Sequence, residues 1–305
     1  MSTNVIRGAV RRAQKVCVYG PEGVGKTSFA ALFPQLLFLD LERGSCSYDV
    51  DRAYPETVRE VEEILDFVLA GGTGYGTVVL DTYDALWHLY ARQVAATKGV
   101  TSVEEVAYGN GVKVVADLLW RLLKGRVEAL VKAGVHVVFL AHADVRKHDD
   151  VEAGTSYDRY MFRVQRLSAN HLMQEMDTVL FANFDARIIH EANGKVRATG
   201  GTERVLHTAR TAAYDAKNRL GLPKKMSLCG ETVEKLLSGP LPHPWDALVE
   251  GYTDEQIAQF LVKSGYLADG QSWRELDEAV VARGLVQPER LRASLVAHLA
   301  QFHAA

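Results

Sequence analysis

Eight consecutive residues, Gly20-Pro21-Glu22-Gly23-Val24-Gly25-Lys26-Thr27, carry the spacing G-x-x-x-x-G-K-[ST]. The chemistry of that pattern is the binding of a polyphosphate. Glycines let successive backbone N–H groups turn inward and cradle phosphate oxygens. Lys26 would reach the β- and γ-phosphates of ATP, and the Thr27 hydroxyl would ligate Mg²⁺. Ser28 completes the contact set at the start of a helix, whose positive dipole end faces the anion. With glycine at about 7% of average usage, a chance match is expected in roughly one such chain in a hundred.

Further residues have the right chemistry to act on a bound triphosphate. Asp81 closes the apolar run Thr77-Val78-Val79-Leu80. A carboxylate there can hold the Mg²⁺ shell beside Thr27, or it can cap the following helix. Glu42 ends the run Leu36-Leu37-Phe38-Leu39-Asp40-Leu41 and can orient and deprotonate an attacking water. Asp40 competes for that role, since residues two apart on a strand share a face. His142 ends Phe139-Leu140-Ala141, where a polar tip can bond the γ-phosphate and report its loss to the next loop. In Tyr214-Asp215-Ala216-Lys217-Asn218-Arg219-Leu220-Gly221-Leu222-Pro223, Lys217 and Arg219 stand on one side of an extended segment. Two cations held there suit a finger that reaches the ATP of a neighbouring copy, or a basic hairpin in solvent.

These groups need rigid elements to hold them. The run Val16–Tyr19 before the glycines reads as a buried strand, and Ser28–Phe33 as a helix start. A helix is expected from Thr57, where Thr57 and Glu60 make a capping box and Val61, Ile64, Leu65, Val68 and Leu69 one apolar face, with Gly71-Gly72 as its stop. A long helical region from about 112 to 133 leads into the strand Val135–Ala141. Another strand starts near Thr178. Arg187–Ile189 and Val205–Thr208 read as strands of a terminal β-meander. Continuous apolar strands alternating with helices predict an α/β fold with a mainly parallel sheet covered on both faces. Ser238-Gly239-Pro240-Leu241-Pro242-His243-Pro244 reads as a linker. The expected organisation is a basic arm over 1–12, an ATPase core over 13–240 and a small helical domain over 245–305. The tail's helices are marked by capping boxes at Thr253…Gln256 and Ser272…Glu275 and by the spacing of Leu291, Leu295 and Leu299. That domain is acidic, with about nine Asp/Glu against about five Lys/Arg.

The chain has 305 residues, 48% hydrophobic and 24% charged, with a formal net charge of −3. Such a charge argues against nucleic-acid binding by bulk electrostatics, so any such contact must come from a local patch. No apolar run approaches a membrane span, and the basic N-terminus lacks the apolar core of a signal peptide. Cys17, Cys46 and Cys229 make neither a disulfide framework nor a metal-ligand spacing. A reducing cytoplasm is the expected location.

Four segments, GPEGVGKTS, FLDLERG, VVLDT and AKNRLGLP, together resemble the RecA/DnaB-like branch of P-loop ATPases. More narrowly, VYGPEGVGKTSFAA, VVFLAH and YDAKNRLGLP are similar to phage-encoded RecA-like ATP-binding proteins of single-strand annealing. The resemblance covers about residues 13–240. It implies Lys26 and Thr27 on phosphate and Mg²⁺, Asp81 as the Walker B carboxylate, and Glu42 as the catalytic glutamate. It also implies His142 at a sensor position usually held by an amide, and Lys217 and Arg219 at the trans-finger position. The expected partners are further copies of the chain in a filament or ring, single-stranded DNA and a replication or single-strand-binding protein; from the hydropathy, no membrane is expected. The loop Asp144–Ser168 would face single-stranded DNA with Arg146, Lys147, Arg159, Arg163 and Arg166 beside Tyr157, Tyr160 and Phe162, cations for phosphates and rings for stacking; with Asp144, Asp149, Asp150, Glu152 and Asp158 its net charge is near zero, and a solvated loop is the alternative. The expected activity is DNA-dependent ATP hydrolysis that gates annealing or strand exchange. A helicase motor or loader, and a nucleotide-gated scaffold with little turnover, are the alternatives.

Overall fold

The computed structural model of the protein describes residues 12–71, 73–150, 154–190, 196–238 and 254–268, with 293, 294 and 296; for 150, 186–190, 196–200 and 254 it describes the backbone alone. The chain divides into two compact units, Arg12–Gly239 and a second made of Met1–Arg11 with Pro240–Ala305. The arm expected over 1–12 lies outside the described residues except for Arg12. So do the capping residues Thr253 and Ser272 and the leucine row from Leu291. Within the second unit, a helix runs Asp254–Lys263, with Ile257 and Leu261 on its buried side.

The first unit is an α/β layered fold. Its strands are β1 (Lys15–Gly20), β2 (Leu36–Asp40), β3 (Asp51–Ala53), β4 (Thr77–Asp81), β5 (His136–Asp150), β6 (Thr155–Phe162), β7 (Thr178–His190), β8 (Val196–His207), β9 (Lys217–Asn218) and β10 (Lys225–Ser227). They form one ten-stranded sheet in the order β10-β8-β7-β1-β5-β4-β2-β3, with β6 beside β5 and β9 beside β7. β7, β1, β5, β4, β2 and β3 run parallel. β8 and β10 extend the sheet antiparallel, which is the expected meander. Arg187–Ile189 is not a strand of its own; it continues β7 past a register shift between Phe184 and Ala186.

Period-two alternation sorts the strand residues onto two faces. Tyr19, Leu39, Leu80, Phe139 and Phe181 pack on one side with helices α2 (Val58–Leu69), α3 (Tyr83–Lys98) and α4 (Asn110–Leu122). Val18, Phe38, Val79, Val138 and Leu180 pack on the other with α1 (Lys26–Ala30) and a helix over Gly230–Ser238. Both faces are covered, so the strands need no polar side, and their sequences show none. Thr57 caps α2, its side chain accepting from Glu60 N–H at 3.2 Å. The long helical region runs through α4, a π-turn at Leu123–Val127 and α5 (Glu128–Lys132).

The segment after His142 differs from expectation. It is no loop: β5 continues past the sheet and pairs with β6 from Ala143↔Phe162 to Asp150↔Thr155. β6 turns Arg159 and Phe162 inward, with Phe162 stacked on Tyr19 at 4.1 Å between ring centroids, whereas Asp144-Val145-Arg146-Lys147-His148-Asp149 shows no apolar alternation because β5 leaves the core after Ala143. Helix α6 (Arg166–Glu175) follows and leads back to β7.

Candidate nucleotide site

The carboxyl ends of β1, β5, β4 and β2 converge, and each delivers one of the expected groups. β1 ends at Gly20, where a Cβ would stand 2.1 Å from Ala182 O, so only glycine lets β1 and β7 approach this closely. Gly25 sits at φ +96, a left-handed conformation that an L side chain resists. Lys26 is buried and donates from Nζ to Gly20 O at 3.1 Å and Pro21 O at 2.9 Å. Burial lowers its pKa, against the pull of Asp81, Asp84, Glu42 and Glu22. The helix that starts here has only five residues. Its dipole is therefore small, and the backbone nest and Lys26 carry most of the attraction for an anion.

Thr27 Oγ1 donates to Asp81 Oδ2 at 2.8 Å. Asp81 is 4% exposed. Burial raises its pKa to about 6, with Glu42 and Asp40 adding to the rise and Thr27 and Lys26 opposing it. A hydroxyl beside a buried carboxylate is a hard oxygen pair, and its unrelieved charge fits Mg²⁺. Thr27 and Asp81 are the residues that would hold the ion, directly or through its water shell. Once bound, the ion would neutralise charge on the phosphates.

Asp40 and Glu42 have different partners. Asp40 is 1% exposed and accepts from Gly44 N, Ser45 N and Ser45 Oγ at 3.0, 2.8 and 2.6 Å. It folds the turn after β2. Since β2 ends at Asp40, the two acids do not share a strand face. Glu42 turns the other way, accepts from Thr82 Oγ1 and lies with Oε1 3.8 Å from His142 Nδ1. Asp84, in the first turn of α3, approaches the same ring, Oδ2 at 3.5 Å, and accepts the His142 backbone N–H at 2.8 Å.

Around these groups lies a cleft of about 270 Å³ lined by Gly23, Gly25, Lys26, Thr27, Ser28, Glu42, Gly44, Tyr48, Asp81, His142 and Arg204. A second hollow of about 570 Å³ adjoins it and shares Glu42 and His142. Three residues here escape sequence reading. Tyr48 OH lies 2.7 Å from Ser28 Oγ. Arg204 comes from β8, and its Nη1 would be 2.7 Å from a Cβ at Gly25. Among the described residues Arg204 has no ion pair. Asp84 is the third. An acid in a helix's first turn is ordinary, which hides it.

Lys217 and Arg219 do not join the cleft. β9 pairs with the start of β7, Asn218 opposite Thr178. That is the amino edge of the sheet, level with Val16 of β1 and so roughly 13 Å from Gly20 along the strand at about 3.3 Å per residue. Lys217 Nζ donates to Met173 O and Gln174 O at 2.9 and 3.0 Å, closing the end of α6. Arg219 is more exposed, and its Nη1 is 3.7 Å from Asp177 Oδ1.

The expected DNA-facing residues are not one surface. Arg159 is 5% exposed and paired with Asp215 at 2.6 Å, so in this conformation it faces inward and not toward DNA. Tyr160 packs on Phe181, and Tyr157 on His148. Arg146 pairs with Asp144 and donates to Arg163 O. Arg163 bridges Asp144 and Glu22 of the phosphate loop. Lys147 and Arg166 are exposed. Glu22 is not a simple loop charge: the bond from Arg163 lowers its pKa. No helix among the described residues is long and apolar enough to cross a membrane.

A family model described as AAA domain matches residues 12–220, about two thirds of the chain. No curated protein matches it.

Proposed function

The chain belongs to the AAA domain family, and from that premise we propose that it is a Mg²⁺-dependent ATPase of RecA-like type that works as an oligomer on single-stranded DNA. The observation that carries the reading is the convergence of Lys26, Thr27 with Asp81, Glu42 and His142 on one cleft at the carboxyl edge of the sheet. Backbone N–H groups and Lys26 hold the phosphates. Glu42, braced by Thr82, accepts the proton of the attacking water. The residue after Asp81 is Thr82, so the general base comes from the segment after β2 and not from beside the Walker B carboxylate.

The place of Lys217 and Arg219 supports sharing of the site between copies. They stand at the far edge of the sheet and cannot serve their own cleft, whereas a neighbour stacked edge to edge could receive them. The hairpin of β5 and β6 supports the DNA reading, because it continues the strand that carries His142 and displays Lys147. Annealing or strand exchange is the work we assign to the assembly.

The test is ATP hydrolysis by wild type, Lys26→Ala and Arg219→Ala, each alone and the two variants mixed, with and without single-stranded DNA. Both variants are expected to be inactive alone. The mixture should recover activity, because a Lys26→Ala copy can lend Arg219 to an intact phosphate loop. Full activity of Arg219→Ala alone overturns the shared site. Turnover indifferent to DNA overturns the DNA reading.

A further inference from the structure

The cleft carries an imidazole, His142, and among the described residues no amide side chain, at the point where β5 passes the ends of β1 and β4. An amide donates a hydrogen bond to phosphate without changing charge. An imidazole that donates through both nitrogens is a cation and needs a counter-charge when buried.

The structure holds that counter-charge in Asp84. His142 is 9% exposed and Asp84 5%. β4 ends at Asp81, opposite Leu140 of β5, so the ladder no longer supplies an acceptor for the His142 N–H. The Asp84 carboxylate supplies it from α3, at 2.8 Å from Oδ2. The same oxygen lies 3.5 Å from Nδ1. Nδ1 and Asp84 Oδ1 are both buried and without a hydrogen-bond partner among the described residues. Both residues line the larger hollow. Other charges face the ring: Glu42 after β2, Glu22 and Lys26 in the phosphate loop, and Arg163 after β6, whose N–H donates to His142 O at 2.9 Å.

We propose that Asp84 is a positioning residue that acts through His142, fixing its Nδ1–H toward the carboxylate and balancing the imidazolium that donates from Nε2 to the γ-phosphate. This rests on the ATPase reading above. No bond to Asp84 forms or breaks in the reaction. Its long contact to Nδ1 tightens when the nucleotide arrives, as catalytic hydrogen bonds commonly do.

The experiment is a double-mutant cycle on ATP turnover with Asp84→Asn and His142→Gln. In the His142 background, Asp84→Asn should lower kcat about tenfold while KM stays within about twofold. In the His142→Gln background, the same change should move kcat less than about twofold, since glutamine needs no counter-charge. Equal losses in both backgrounds, or none in either, overturn the proposal. Nitrogen NMR of the His142 ring reads the same claim without turnover. The wild-type ring without nucleotide should carry its proton on Nδ1, and a ring protonated on Nε2 alone overturns the proposal even if Asp84→Asn does not fold. A wild type that hydrolyses no ATP ends the ATPase reading, and the NMR result then decides the placement of Asp84 on its own.

Discussion

At the amino ends of the central strands, Lys15, Asp177, Glu175 and His136 are tied to partners. Lys15 Nζ is 2.9 Å from Glu128 and 3.7 Å from Glu175, and Lys124 reaches Glu175 at 2.8 Å. Asp177 accepts the Lys15 N–H at 3.0 Å and pairs with Arg12. His136 Nδ1 accepts the Gln14 N–H at 3.0 Å. At the carboxyl ends of the same strands stand the same residue types, Lys26, Asp81, Asp84 and His142, and their pairing is incomplete. Lys26 rests on main-chain carbonyls alone, and Asp84 and His142 each keep a buried polar atom without a partner. Residue type does not separate a structural ion pair from a reactive one. Among these charged groups the completeness of the pairing does, although Thr77 and Thr178 at the amino ends also keep an unpartnered buried hydroxyl.

The largest effect expected is at the open edge. Lys26→Ala should lower ATP turnover by about 100-fold or more with little change in melting temperature, because Lys26 makes no ion pair in the fold. A variant that keeps its turnover breaks the contrast. The closed edge should show the reverse. Lys15→Met leaves two buried or half-buried acids short of a partner and should cost about 3 kcal/mol of stability in urea unfolding, with turnover per folded molecule unchanged. If turnover per folded molecule falls instead, Lys15 is not merely structural.

Much of this division was legible from residue types and spacing. The phosphate loop, Asp81, Glu42 and His142 each follow an apolar strand, and the edge of a parallel sheet is where such strands must deliver them. Asp40 and Glu42 could not be separated, because their partners at Ser45 and Thr82 depend on how the turn folds. Arg204 lay hidden because a lone arginine between Glu203 and Val205 gives no local signal; only the pairing of β7 with β8 carries it to Gly25. The hairpin read as a loop because β5 leaves the core after Ala143, so its outer residues carry no apolar alternation. Arg159 read as a phosphate contact because nothing nearby in sequence announces Asp215 as its partner.

Two smaller effects sharpen the comparison. Arg204→Ala should weaken nucleotide binding about tenfold, or about 1.4 kcal/mol, with kcat little changed, read by a fluorescent ATP analogue; unchanged affinity removes Arg204 from the site. At the closed edge, burial lowers the pKa of His136. Its folded value lies below the unfolded one, so the unfolded chain takes the proton first on acidification. Stability from this group is present above about pH 6.5 and is lost as pH falls below it. The urea midpoint of wild type should therefore drop between pH 7.5 and 5.5 more than that of His136→Asn. Equal drops would free His136 from its assigned role.

The central claim is that the carboxyl-edge cleft holds ATP with Mg²⁺. Thermal denaturation of the full chain with increasing Mg²⁺·ATP tests it most directly. Saturable stabilisation is expected for wild type, with most of it lost in Lys26→Ala. A wild type whose melting temperature ignores millimolar Mg²⁺·ATP, or a Lys26→Ala variant stabilised as strongly as wild type, would contradict it.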